Sequence, residues 1–304
     1  MGALDRLEPW STTGVGSLPF TDPAAAAAHA VGAYDLPFCP QLPRLEGDMI
    51  SEWLGADPGR CGWSPGRDHE RPRAWDPWLA ELRRDPPEQQ LVKLQVTGPA
   101  TLACALEREG GGRSSRADAL DLAVEIADWL AANAAGQVAR LAELDLDAVL
   151  VVDEPALGVF GTEGIESAWE PLRGIAAAWG LHLCCHVPWA VVERARPDLL
   201  SFDLALEPIG EEAAAVLGGL LDRGAWIAWG ALRVEGPRPG EEVVGSLEEA
   251  LAAIDADFSH SLLSPACGSG RVSVARERER AATLEVTAWA MRNRRPDRAV
   301  AARR

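Results

Sequence analysis

Lysine is almost missing from this chain. Lys93 is the one lysine among 304 residues, and 46 acidic side chains stand against 29 basic ones, for a net charge of −17. With a pI near 4.7, the composition argues against nucleic acid or an anionic membrane as partner, because both reward clustered Lys and Arg. No apolar run approaches the roughly 20 residues a membrane-spanning helix needs, and Met1 to Trp10 is charged and lacks a signal-peptide core. The expected location is the cytoplasm. A disulfide framework is missing as well: Cys39, Cys61, Cys104, Cys184, Cys185 and Cys267 are few for so long a chain, and a reducing compartment keeps them as thiols. They read as buried hydrophobes or as metal ligands. There is also no internal linker, which favours a single domain over residues 1–304.

What is present is an apolar content of 47%, enough for a large core. After a lead-in over residues 1–11, Thr12 to Phe20 reads as a short strand with a glycine-bracketed turn. Asp22-Pro23 then starts a helix as N-cap and first-turn proline. Pro37 to Pro43 is a second strand weakened by its prolines, and residues 56–90 form a long excursion over one rim, with a hairpin and a helix around Trp75 to Arg84. From Leu91 the pattern is strict. Strands are expected at Leu91–Val96, Ala148–Asp153, His182–Val187, Leu199–Asp203, Ala225–Gly230 and Ser261–Ser264, with helices between them, including Gly164–Trp179. About eight strand-helix repeats with near-continuous apolar strands predict an α/β chain folded as a (β/α)8 TIM barrel. The rival, an open doubly wound sheet, lacks its phosphate-binding glycine fingerprint, because Gly14-Val15-Gly16-Ser17 runs into a proline rather than opening a helix.

In such a barrel the functional residues cluster where strands end. The most conspicuous end is Asp153-Glu154-Pro155, two adjacent carboxylates after a buried strand and before a residue that stiffens the exit. The other ends offer metal-ligand chemistry. If His182 to His186 is a strand, alternation puts His182, Cys184 and His186 on one face and Cys185 on the other. Cys267, on the glycine-flanked exit Ala266-Cys267-Gly268, could complete a sulfur and nitrogen site suited to Zn2+. A site with an open position would make a thiolate available at neutral pH.

Taken together, Thr13-Gly14-Val15-Gly16-Ser17-Leu18-Pro19, Gln95-Val96-Thr97-Gly98-Pro99, Asp153-Glu154-Pro155-Ala156-Leu157 and Ser264-Pro265-Ala266-Cys267-Gly268 resemble, in order, the catalytic barrel of cobalamin-independent methionine synthase. The match spans nearly the whole chain. It points to the single-barrel, methionine synthase-like branch of the superfamily that also contains uroporphyrinogen decarboxylase. The resemblance implies a zinc-dependent methyltransferase that moves a methyl group from a methylated folate or corrinoid to a thiol such as homocysteine, with a corrinoid protein as a candidate partner. It implies that Gly16 and Ser17 hold the substrate through their backbone, that Asp153 grips its ammonium group and that Glu154 borders the same pocket. It makes Cys267 a zinc ligand, together with His182 and Cys184 or, in the alternative register, Cys185. Asp203 falls where the family has a glutamate ligand and is one methylene shorter.

The chain also departs from the family after the second strand, where a substrate-binding acid is replaced by Gln41 and the nearest acid is Glu46. Homocysteine therefore does not follow from the resemblance alone. Two further functions stay open: a metal-free decarboxylase-like barrel, which would need arginines near the first strand, and a barrel kept as a binding or regulatory protein.

Overall fold

Seven strands pair side by side, all parallel, in the order β1-β7-β6-β5-β4-β3-β2, in a computed structural model that describes residues 2–54, 72–110, 115–233 and 240–293. They are β1 (Ser11–Thr12), β2 (Leu91–Thr97), β3 (Asp147–Asp153), β4 (Ala178–Leu183), β5 (Leu199–Asp203), β6 (Trp226–Leu232) and β7 (Ser261–Pro265). Parallel neighbours need crossovers, and the intervening helices bury the outer face. The result is a curled sheet, a half-barrel of TIM-barrel-like α/β type.

The expected second strand is where regular pairing fails. Pro37 and Pro40 have no N–H to give a ladder, and residues 36–41 make only isolated parallel bridges, Thr13 with Leu36 and Ser17 with Gln41 on one side and Phe38 with Lys93 on the other. The fourth strand also differs from expectation. Residues 164–179 do not form one helix; a short helix Glu166–Trp169 and a 3-10 turn Glu170–Leu172 are followed by β4 at Ala178–Leu183, not His182–Val187. The alanines of Ile175-Ala176-Ala177-Ala178 favour a helix locally, but pairing of β4 with both β3 and β5 overrides that preference. The helix Trp75–Arg84 forms as expected, and the expected hairpin lies outside the described residues.

The period of two along each strand builds the interior. One parity points inward to a small apolar cluster that includes Leu91, Val149, Val151, Leu199, Trp226 and Leu262. Leu4 and Leu7 join it, so the lead-in plugs the amino-terminal end of the strands, where Arg6 pairs with Asp147 at the start of β3. One step further along the same parity the interior turns polar, with Lys93, Gln95, Asp153, His182, Ser201 and Ser264 all buried. The opposite parity, with Leu94, Leu150, Leu181, Phe202 and Leu263, packs under the helices. Among the described residues no helix is long and apolar enough to cross a membrane.

Candidate active site

A cavity of about 390 Å3 opens above the polar layer at the carboxyl ends of the strands. Its wall includes Ser17, Gln41, Asp153, His182, Cys184 and Cys267, brought together from five separate chain segments. A second cleft of about 360 Å3, beside Leu204, Arg233 and Glu249, contains none of the residues singled out by sequence.

Parallel register sets Asp153 beside His182, and His182 beside Ser201. His182 Nδ1 is 2.9 Å from Ser201 Oγ, which fixes the ring and leaves Nε2 for the cavity. That Nε2 is buried without a partner in hydrogen-bond geometry. Cys267 stands close to it and to Cys184. The thiol hydrogen bond from Cys184 and the neighbouring imidazole pull the Cys267 thiol down to about 4, against burial, which raises it. Cys184, as donor to that thiolate and partly buried, is pushed up in turn. The two thiols therefore titrate as a pair, the hydrogen bond between them lowering Cys267 and raising Cys184.

Asp153 is 4% exposed, and its Oδ1 has no hydrogen-bond partner among the described residues. Burial raises its carboxyl to about 6, while His182 and Lys93 pull the other way. Glu154 does something else. Its side chain turns to the helix Pro99–Gly110, where Oε1 accepts from Ala100 N at 3.0 Å and Trp169 Nε1 at 3.1 Å. Oε2 accepts from Thr101 N at 2.9 Å and Thr101 Oγ1 at 2.7 Å. These bonds satisfy first-turn donors of the helix, where negative charge is favoured. Gly98 has to be glycine for this, because a Cβ there would meet the Glu154 carboxyl carbon at 2.1 Å.

The structure separates the remaining sequence candidates. Cys184 lines the cavity, whereas Cys185 Sγ faces the carbonyl of Glu154 at 3.7 Å and of His186 at 3.5 Å. With β4 ending at Leu183, both cysteines lie in the exit loop, and strand alternation does not decide between them. His186 is exposed and pairs with Glu207 at 2.8 Å. Asp203 Oδ1 accepts from Ala205 N at 2.8 Å and Leu206 N at 3.2 Å, closing the turn after β5 outside the cavity. Gly16 is pressed against side chains: a Cβ would meet Gln41 Oε1 at 2.7 Å and Gln95 Cδ at 2.9 Å. Ser17 ties two exits together, its carbonyl accepting from Ser269 N at 2.9 Å and Ser269 Oγ at 3.1 Å. Among the described residues no three His, Cys, Asp or Glu side chains form a ready-made metal cluster.

Three participants escaped sequence reading. Lys93 donates to the Val15 carbonyl at 2.6 Å and to Gln95 Oε1 at 3.2 Å, and burial lowers its ammonium to about 8. Glu52 accepts from Gln41 Nε2 at 2.7 Å, and its carboxyl is raised to about 8, first by burial and then by Glu46. Arg271 lines the cavity mouth. For Lys93 a signal existed, since Lys93, Gln95 and Thr97 share one parity of an otherwise apolar strand. The other two lie on a short helix and a loop, where spacing carries no such information.

No protein-family model and no curated protein matches the chain. Among solved structures, a methyltransferase from Methanosarcina mazei is 14% identical, with a TM-score of 0.61 over 95% of this chain and 96% of that one. A B12-independent methionine synthase from Shewanella sp. W3-18-1, determined in complex with selenomethionine, is 19% identical over 74% of this chain and 68% of that one, with a TM-score of 0.49. A putative vitamin-B12 independent methionine synthase from Listeria monocytogenes is 16% identical over 66% and 64%, with a TM-score of 0.44. At these identities the shared property is the fold: the chain has the barrel-like architecture of the Methanosarcina methyltransferase over nearly its full length.

Proposed function

We propose that the chain is a zinc-dependent methyltransferase acting on a thiol. The observation that carries this reading is the buried, unpartnered Nε2 of His182 beside the Cys267 sulfur and its hydrogen-bonded neighbour Cys184. The free Nε2 of an imidazole whose Nδ1 is held by Ser201, with two neighbouring cysteine sulfurs, is a donor set that suits zinc. His182, Cys184 and Cys267 would hold the ion. When bound, zinc lowers the pKa of a substrate thiol and makes it nucleophilic at neutral pH. Residues 36–41, bridged on both sides, are inferred to be the eighth stave that closes the barrel around this site.

The chain's own contribution is placement. Ser201 sets the angle of the His182 ring. Asp153, buried with a free oxygen, offers an acceptor to an ammonium group of the substrate. Gly16 and Ser17 supply backbone at the same level, and Lys93 fixes the Val15 carbonyl just before them. Burial of Asp153, His182 and Lys93 strengthens their electrostatic interactions. The methyl donor is proposed to be a methylated folate or corrinoid, free or on a corrinoid protein. A metal-free decarboxylase would need several arginines to hold a polycarboxylate, and among the described residues Arg271 is the one arginine lining the cavity.

The test is metal analysis of protein purified with zinc present. About one equivalent is expected in the wild type and a loss of most of it in Cys267→Ser with the fold intact. A wild-type protein that holds none overturns the reading.

A further inference from the structure

We propose that Arg271 is the anion anchor of this cavity and binds a carboxylate carried by the acceptor thiol next to its ammonium group; this rests on the thiol-methyltransfer reading above. The backbone under Arg271 is clamped from both sides. Arg44 Nε donates to the Gly270 carbonyl at 3.3 Å and Arg44 Nη2 to the Val272 carbonyl at 2.6 Å, while Ser269 N is held by the Ser17 carbonyl at 2.9 Å. Gly270 is pressed so close to Pro43 that a Cβ would lie 2.3 Å from its Cγ. The Arg271 side chain, by contrast, is exposed, lines the cavity and has no hydrogen bond or ion pair among the described residues. A fixed backbone bearing an unattached guanidinium at a cavity mouth is suited to a planar oxyanion, which it can meet through two parallel N–H groups.

The charges around it explain why a thiol with both signs fits best. Asp48 also lines the cavity, but its Oδ1 accepts from Ile50 N, Ser51 N and Ser51 Oγ. Asp153 Oδ1 is, among the described acids lining the cavity, the buried oxygen without a partner. Gln41 donates its Nε2 to Glu52, so its amide oxygen is the end turned towards Gly16, where a substrate would lie. Among the described residues, acceptors for an ammonium thus sit at depth and one cation, Arg271, sits at the rim. An anionic thiol without an amine would face Asp153 unpaired, and an aminothiol without a carboxylate would leave Arg271 unused.

The experiment compares zinc-loaded wild type with Arg271→Gln and Arg271→Lys by calorimetric titration with homocysteine and with 3-aminopropane-1-thiol, which lacks only the carboxylate. Arg271→Gln is expected to weaken homocysteine by about tenfold or more and to leave the aminothiol unchanged, with Arg271→Lys in between. Equal losses for the two thiols, or no loss for homocysteine, overturn the anchor while the methyltransfer reading stands. A zinc-loaded wild type that binds homocysteine no better than the aminothiol also overturns the anchor alone, and one that binds neither overturns both.

Discussion

Asp153 and Glu154 are neighbours in sequence and face opposite sides of the sheet. Asp153 enters the cavity with a free buried oxygen, while Glu154, completely buried, accepts four hydrogen bonds beneath the helix Pro99–Gly110. Their substitutions should therefore separate function from stability. Glu154→Gln puts an amide donor against groups that are themselves donors, and should cost about 3 kcal/mol of unfolding free energy. Asp153→Asn should leave the denaturant midpoint nearly unchanged and weaken an amino-acid thiol by about 100-fold, the equivalent of about 3 kcal/mol for a buried charge pair that loses one member. A simple thiol such as 2-mercaptoethanol should bind both proteins alike. If homocysteine and the simple thiol respond equally, Asp153 is not an ammonium partner.

A second prediction follows from the seam between the first and last strand exits. A Cβ on Gly268 would stand 2.0 Å from Ser17 Oγ and 3.2 Å from Ser17 Cβ, so Gly268→Ala should push the Cys267 loop away from Ser17 and lower stability. Ser17→Gly removes both obstructing atoms. The double variant should recover part of the loss, giving a coupling of about 1–2 kcal/mol in a double-mutant cycle read by urea unfolding. Strictly additive losses would mean that the two loops are not packed as described.

How much of this could be read in advance varies with the kind of interaction that decides each feature. β2, β3 and β5 were legible to within about a residue because they are buried on both faces and therefore near-continuously apolar. β4 was displaced by four residues because an alanine-rich segment favours a helix until two neighbouring strands capture it, which is a tertiary effect. That displacement removed the alternation argument for His182, Cys184 and His186, of which His186 alone turns out to be exposed and paired with Glu207. His182 and Cys267 were visible as chemistry at strand ends. The role of Glu154 was not, since nothing local distinguishes a carboxylate that enters a cavity from one that turns back to a helix terminus.

The acids and the lysine of the interior set a pH dependence of stability. Glu52 is raised from its ordinary value of 4.5 to about 8 by burial and then by Glu46. Between those values the folded chain holds more protons than the unfolded one, so the contribution is fully present below pH 4.5 and lost as pH rises to 8. Lys93 is lowered from 10.5 to about 8 by burial, so its contribution is present above pH 10.5 and lost as pH falls through 8. Stability of the chelator-treated protein should therefore decline from pH 5 to 8 and recover partly towards pH 10. Glu52→Gln should flatten the first limb and Lys93→Met the second, as measured by urea midpoints. A Glu52→Gln protein with an unchanged acid-to-neutral slope would show that this carboxyl is ionised at ordinary pH.

Adjacent Cys184 and Cys185 allow the proposed metal centre to be tested with an internal control. Of the two, Cys184 lines the cavity, whereas Cys185 faces the carbonyls of Glu154 and His186. Each thiolate bound to Co2+ adds near-ultraviolet charge-transfer absorption, so the cobalt-loaded protein reports the number of sulfur ligands without reference to activity. Cys185→Ser should keep the wild-type intensity, and Cys184→Ser and Cys267→Ser should each lose about half of it if two sulfurs bind. Asp203→Ala should leave the spectrum unchanged, because that carboxylate is engaged in the turn after β5. The reverse result, with Cys185→Ser dimming the band and Cys184→Ser sparing it, would require the exit loop of β4 to turn over on binding metal, and the assignment of His182 as its neighbouring ligand would fall with it.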